Sequence, residues 1–368
     1  MNKSNKFIII GFIIMSFNSL YQYSWNALSP LLYKGLSVSI QEVSVAFTLF
    51  TIFSTIFQII GGIIADKHGP KIIGIFSSLA SSIGFLGTSF SKNLYSFYLF
   101  WSIGSAGEGI LYMIASNLAV KWFKSNRGLA TGLISLGFGL GSFIADPLIS
   151  TFTSFKKPML IIGLIELILL PILLYLSDYP SKGLIGISPT KIITMRKWWL
   201  IYFSYALSVV PLLSLSSSLY YLASGSSKGI LVLLISSFAL FSGLGRPILG
   251  YVSDKIGRIK TMIIALVLVI IGSFLIILKQ FVVSSIIIGI FDGSMIPLYF
   301  SFIGDVFGIK YSTSNNAILY TGKALGGIFG GIIFSVILTK GLLMSGSYLL
   351  LFSLAGLLLL LLSIIKKN

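Results

Sequence analysis

The sequence predicts an all-α membrane protein, with twelve transmembrane helices arranged as two pseudo-symmetric six-helix bundles. Three observations predict it. Hydrophobic residues make up 56% of the 368 residues and charged residues only 10%, against about 25% charged in a soluble domain, and mean hydropathy is +1.00. Apolar runs long enough to cross a bilayer recur along the whole chain, which calls for helices; a barrel would show short alternating strands. Finally, GGIIADKHGPK (61–71) and GYVSDKIGRIK (250–260) carry one pattern twice, about half a chain apart.

Clusters of Gly, Pro, Ser and Lys mark the breaks between spans. The first set falls at 6–33, 41–65, 71–90, 94–122, 128–152 and 158–177, the second at 197–224, 229–252, 260–278, 281–307, 313–339 and 345–365. The division is therefore an N-terminal bundle over 1–178, a linker over 179–196 and a C-terminal bundle over 197–368. MNKSNK runs straight into apolar sequence with no small-residue cleavage site after it, so the first span is expected to be retained.

A net charge of +17 raises the question of nucleic acid. With the N-terminus in the cytosol, seventeen Lys and Arg side chains fall on the cytosolic side and seven outside. This positive-inside bias accounts for the basic excess without nucleic acid and puts both termini in the cytosol. Cysteine is absent and histidine occurs once, at His68, which reads as a solvated loop residue. Neither a disulfide nor a metal centre is expected, and no cofactor. No nucleophile–base spacing points to an enzyme.

Each repeat reads Gly, three residues, Asp, Lys, any residue, Gly, and Asp66 and Asp254 stand 188 positions apart. In this, over the whole length, the chain resembles the major facilitator superfamily, although Lys67 and Lys255 stand where Arg is common. The resemblance implies alternating access between two halves. Asp66, Lys67, Arg127, Asp254, Lys255 and Arg258 are the expected gating residues, the acids pairing with cations or helix N-termini at the inner end. A narrower set, YQYSWNALSPL (21–31), IFQIIGGIIADKHGPK (56–71), AVKWFKSNRGLATGLISLGFGLGSF (119–143), GLGRPILGYVSDKIGR (243–258) and AILYTGKALGGIFG (317–330), is similar to the oxalate/formate antiporter subfamily. That subfamily exchanges or cotransports small carboxylates, and the related monocarboxylate transporters share the Arg at the position of Arg246. Gly132, Gly137, Gly139 and Gly141 in the fifth span read as surfaces for close helix approach.

Two cations fall inside spans. Arg246 lies about six residues from the inner end of the eighth span, roughly 9 Å deep; Lys323 lies about ten residues from the inner end of the eleventh, roughly 15 Å deep. Side chains lean toward the N-terminus of their own helix, so in these oppositely directed spans the two heads move toward a common depth. A charge at such depth costs at least ~2.5 kcal/mol and marks a functional site. The planar fork of Arg suits a carboxylate, and Lys adds a compact charge. Two like charges with no anion between them resist closure, which favours exchange.

By resemblance, Gln22, Tyr23 and Tyr112 line the carboxylate site. Tyr299 is a further aromatic candidate, and Tyr320 also lies in the eleventh span. Glu108 and Asp292, 184 positions apart within apolar spans, are proton-coupling candidates; Asp146 and Glu166 read as buried packing or interface residues. The expected function is secondary active transport of small mono- or dicarboxylates, such as oxalate, formate or lactate, by antiport in the cell membrane. Proton-coupled monocarboxylate symport is the alternative. Multidrug or sugar transport, or a transporter-like sensor, is the reading from a different class. The expected partners are the carboxylate, the lipid bilayer and protons, and the protein is expected to be a monomer.

Overall fold

A backbone inside a bilayer must satisfy its own N–H and C=O groups. The computed structural model describes residues 3–123, 127–180 and 185–365, and meets that demand with helices. Lys124, Lys182, Lys366 and Lys367 of the basic set, and the side chain of Lys3, lie outside the described residues. The rods in order are α1 (Lys3–Gln22, continuing as Trp25–Leu36), α2 (Ile40–His68), α3 (Lys71–Phe90), α4 (Leu94–Trp122), α5 (Arg127–Ile149) and α6 (Lys156–Tyr175). After the connection come α7 (Arg196–Leu222), α8 (Lys228–Ile256), α9 (Arg258–Ile277), α10 (Phe281–Phe307), α11 (Ser312–Leu338) and α12 (Leu342–Ile364). Outward faces are apolar, with Phe76, Ile168, Leu233 and Leu351 exposed, while many serines and the charged Glu108, Asp146, Glu166, Arg246, Asp292 and Lys323 are buried within the spans, the inverse of a water-soluble protein.

The expectation of twelve membrane spans needs one qualification. Among the described residues, ten helices are long and apolar enough to cross a membrane, or eleven with the bent α1 taken as one span. The remaining rod is α4, 29 residues long. It carries Glu108, Asn117 and Lys121, and all of residues 107–121 are buried. Its polarity is tolerated because protein surrounds that stretch.

Several rods are broken at mid-length. The two parts of α1 meet at 42° beside Tyr23 and Ser24. The others break at Val209 in α7, Ser294 in α10 and Thr321 in α11, and Phe329–Ile333 in α11 forms a π-helical turn. Pro211 and Pro297 lie just past two of the breaks; a proline clashes with the carbonyl four residues earlier and offers no N–H. Broken helices at mid-depth leave backbone and side-chain polar groups facing the interior.

The glycines of α5 divide between two neighbours. A methyl group on Gly132 would sit 2.5 Å from Pro247 Cα, and one on Gly139 would sit 2.4 Å from Gly243 Cα, so α5 and α8 approach backbone to backbone. Gly137 and Gly141 press instead on the carbonyls of Phe12 and Ser16 in α1. Between the six-helix sets, α2 also runs against α11. The expected linker is fastened rather than free. Gly186 pairs with Gly308 in an isolated bridge, the Ile187 amide donates to Phe307 O at 2.8 Å, and the Ile309 amide donates to Ile185 O at 2.8 Å.

Candidate functional site

Arg246 and Lys323 are both fully buried. Arg246 projects from α8. Its guanidinium donates to the Tyr23 hydroxyl at 3.2 Å and to the Ser135 carbonyl at 3.2 Å, and lies 4.9 Å from the centre of the Phe138 ring. Its Nε makes no hydrogen bond. Tyr23 sits at the break of α1 and also shares a 2.5 Å hydrogen bond with Ser242. Lys323 stands just past the break of α11. Its ammonium donates to the Tyr320 hydroxyl at 3.0 Å and faces the rings of Phe50 at 4.7 Å, Tyr320 at 4.9 Å and Tyr112 at 6.0 Å.

The two cations lie within electrostatic reach of each other. One aromatic wall joins them: Phe138 meets Tyr112 edge-on at 5.4 Å, and Tyr112 stacks on Tyr320 at 5.0 Å. No carboxylate lies within 4 Å of either head among the described residues. Ring faces and neutral oxygens therefore hold two desolvated positive charges, each cation–π contact contributing about 1–2 kcal/mol. Such a pair fits a small anion: a planar fork on one side, a point charge on the other, and flat walls between.

The remaining expected residues separate. Tyr112 belongs to the wall. Gln22 faces α7, with its amide 3.5 Å from the Ser216 hydroxyl and its Oε1 buried without a donor. Tyr299 shares a 2.6 Å hydrogen bond with Ser204 and packs edge-on to Tyr205; the ring of Tyr205, not Tyr299, faces Tyr320. Tyr299 thus stands one layer behind the cage. Glu108 lies within electrostatic reach of Lys323, and both its oxygens are buried without a donor. Asp292 accepts the Leu212 amide at 2.8 Å, at the start of the second segment of α7. That is a helix-capping position, where an acid satisfies an otherwise orphaned N–H.

At the end of the bundle where Phe7 stacks on Trp122 at 4.8 Å, the repeated aspartates tie opposite sets of helices together. Asp66 pairs with Lys121 at 2.8 Å and accepts the Thr313 hydroxyl at 2.5 Å, the Ser314 amide at 3.1 Å and the Ser314 hydroxyl at 2.9 Å, all at the N-terminus of α11. Asp254 pairs with Arg258 at 2.5 Å and accepts the Leu129 amide at 3.2 Å, at the N-terminus of α5. Arg258 and Arg127 both reach Asp305, at 3.2 Å and 3.5 Å. Lys67 and Lys255 take no part in these pairs; both are exposed, and Lys255 lies over the Tyr251 ring. His68 is exposed, as expected.

Sequence reasoning missed Lys121, Asp305, Phe138 and Phe50, and left Tyr320 outside the site. Tyr320 carried a usable signal, since it stands three residues before Lys323, on the same helix face. Among the described residues, no group of three His, Cys, Asp or Glu side chains is placed to hold a metal.

A model of the Major Facilitator Superfamily matches residues 7–227 and 198–367. The chain is 44% identical over 335 residues to an uncharacterised 38 kDa protein in the 23S RNA operon of Thermoproteus tenax, covering 91% of this chain and 89% of that one. It is 29% identical over 354 residues to the oxalate:formate antiporter of Oxalobacter formigenes, covering 91% and 85%. In fold it is similar to a crystal structure of the Major Facilitator Superfamily transporter FucP in the outward conformation, with a TM-score of 0.72 and 15% identity over 98% of this chain and all of that one.

Proposed function

The chain belongs to the Major Facilitator Superfamily, and on that premise we propose that this secondary transporter carries small carboxylates across the membrane by exchange. The observation that carries the proposal is the pair Arg246 and Lys323, buried on α8 and α11 against one aromatic wall, with no carboxylate within 4 Å among the described residues. The fork of Arg246 takes one carboxylate edge. Lys323 takes the second carboxylate of a dicarboxylate or, with Tyr320, the far side of a monocarboxylate. The stacked rings of Tyr112 and Tyr320 fit a flat substrate. The similarity to the oxalate:formate antiporter supports the same reading.

Transport follows from the two ends of the bundle. With Asp66 holding α11 and Asp254 holding α5, the end they occupy is shut. Release of both bonds lets the two six-helix sets rock along the close α5–α8 and α2–α11 contacts. The bias of Lys and Arg supports a cytosolic position for that end and for both termini. When no anion bridges them, Arg246 and Lys323 repel, so the unloaded carrier returns slowly and exchange outpaces net uptake.

A second reading, proton-coupled symport of a monocarboxylate, draws on Glu108, a buried acid without a donor within electrostatic reach of Lys323. Uptake of labelled oxalate, formate and lactate into proteoliposomes tests both, with and without internal anion and with and without a pH gradient. Uptake that needs internal anion and ignores the gradient supports exchange. Uptake that follows the gradient and is uncoupled by Glu108→Gln supports symport, and uptake of none of these carboxylates overturns the proposal.

A further inference from the structure

The buried polar groups do not stop at the cation cage. On α4, Glu108, Tyr112 and Ser116 follow at intervals of four and share one face; on α11, Ser312, Asn316 and Tyr320 do the same. The two faces meet. Tyr112 stacks on Tyr320 at 5.0 Å, and further along the Ser312 hydroxyl donates to Asn117 Oδ1 at 3.1 Å. Ser116 and Asn316 therefore lie between these two contacts, and both are buried. A third helix joins them. Gly62 of α2 lies against Thr313 and Ala317, and Gln58 stands one turn nearer the cage on the same face of α2.

Five polar atoms of these side chains, Gln58 Nε2 and Oε1, Ser116 Oγ, and Asn316 Nδ2 and Oδ1, are buried and make no hydrogen bond with the protein. Buried polar atoms are nearly always satisfied, and a cluster of orphans is costly unless a polar guest serves it. Three neighbouring helices place these amide and hydroxyl groups along the stretch from the Tyr112–Tyr320 stack to the Ser312–Asn117 bond, and none of the three side chains is an acid. The site stands seven residues along α11 from Lys323, roughly 10 Å, on the way to the bonds of Asp66.

We propose that Gln58, Ser116 and Asn316 form a second, uncharged anion-binding station between the Arg246–Lys323 cage and the Asp66 end. It takes a small carboxylate in transit. The proposal rests on the carboxylate reading of the cage. Amide and hydroxyl donors hold the anion more weakly than two cations do, so the station passes it on rather than retaining it. An acid at the same place would repel it.

The natural chain has no cysteine, so Ser116→Cys, Asn316→Cys and, as a control on α5, Thr131→Cys each create a single reporter. Modification of the purified variants by methanethiosulfonate ethylammonium is followed with and without saturating oxalate, alongside oxalate exchange by the wild-type protein. The expected result is that the thiols at 116 and 316 react and that oxalate slows both several-fold while sparing the thiol at 131. Unreactive thiols at 116 and 316, reaction without protection (water only), or equal protection at all three positions (a global change of shape) each overturn the station. Those results leave the cage reading standing as long as the wild-type protein exchanges oxalate; absence of that exchange is the failure of the cage reading itself. As a second measurement, Asn316→Asp slows exchange roughly tenfold more than Asn316→Ala; equal rates overturn the proposal.

Discussion

Replacing Asp66 by Asn isolates the closure of one end of the bundle. Three bonds cross from Asp66 to the N-terminus of α11: the Thr313 hydroxyl at 2.5 Å and the Ser314 amide and hydroxyl at 3.1 and 2.9 Å. Its pairing with Lys121 stays within the first six-helix set and does not itself hold the gate. A bond to a charged acceptor contributes about 1.5–3 kcal/mol and a neutral one about 1 kcal/mol. Asn keeps one acceptor oxygen, so the Thr313 bond weakens while the –NH2 group leaves Ser314 without its acceptor. The two Ser314 donors share one carboxylate oxygen; counted as a single charged bond, the expected loss is about 1.5–3 kcal/mol, a shift of roughly 10- to 150-fold toward the form open at this end. Thr131 on α5 is buried and, as the sole cysteine in a Thr131→Cys background, reports that opening. Its labelling by a water-soluble thiol reagent in detergent rises by the same factor in the Asp66→Asn variant. Labelling within about twofold of the parent would refute the assignment of Asp66 to the gate.

Three further outcomes follow from single contacts. Arg258→Gln, which loses pairs to Asp254 and Asp305, slows exchange on the order of tenfold, whereas Lys255→Gln, at an exposed position, stays within about twofold; initial uptake rates compare them. Tyr320→Phe leaves the buried Lys323 ammonium without its 3.0 Å acceptor, lowering stability by about 1–3 kcal/mol. Added oxalate then raises the melting temperature of this variant more than that of the wild type. Asp292→Ala removes the acceptor of the Leu212 amide and lowers stability by about 1–2 kcal/mol. Asp292→Asn retains an acceptor oxygen and transports with the pH dependence of the wild type; a changed pH profile would assign Asp292 to proton movement instead.

The helices were legible because lipid permits few alternatives: long apolar runs become spans, and eleven of the rods pass that test. α4 is polar along the stretch the protein encloses, yet its bounding breaks still mark it as the fourth span, 94–122, and the structure shows a helix over Leu94–Trp122. The breaks at Ser294 and Thr321 were not legible, since Pro297 explains the first only once the helix is known to continue past it, and Thr321–Gly322 carries no strong signal. At the site, Arg246 and Lys323 stood out because a membrane-embedded charge is conspicuous. Phe138 and Phe50 did not, because nothing separates them from the other 27 phenylalanines in a chain with 29. The repeated Asp–Lys motif marks Asp66 and Asp254, which bond across to α11 and α5, whereas the lysines beside them are exposed and make no ion pair among the described residues. Neighbours in sequence point to different sides of a helix end, and the cations that pair with the two aspartates, Lys121 and Arg258, come from another rod and from one turn further on.

Calorimetric titration of oxalate into the purified wild-type protein and into Arg246→Gln, Lys323→Gln and the double variant tests the account most directly. If the two buried cations hold the anion, each single change weakens binding by roughly 10- to 150-fold, the equivalent of one charged hydrogen-bonding partner of about 1.5–3 kcal/mol, and the double variant shows no binding. Binding of oxalate by the double variant with wild-type affinity would contradict it.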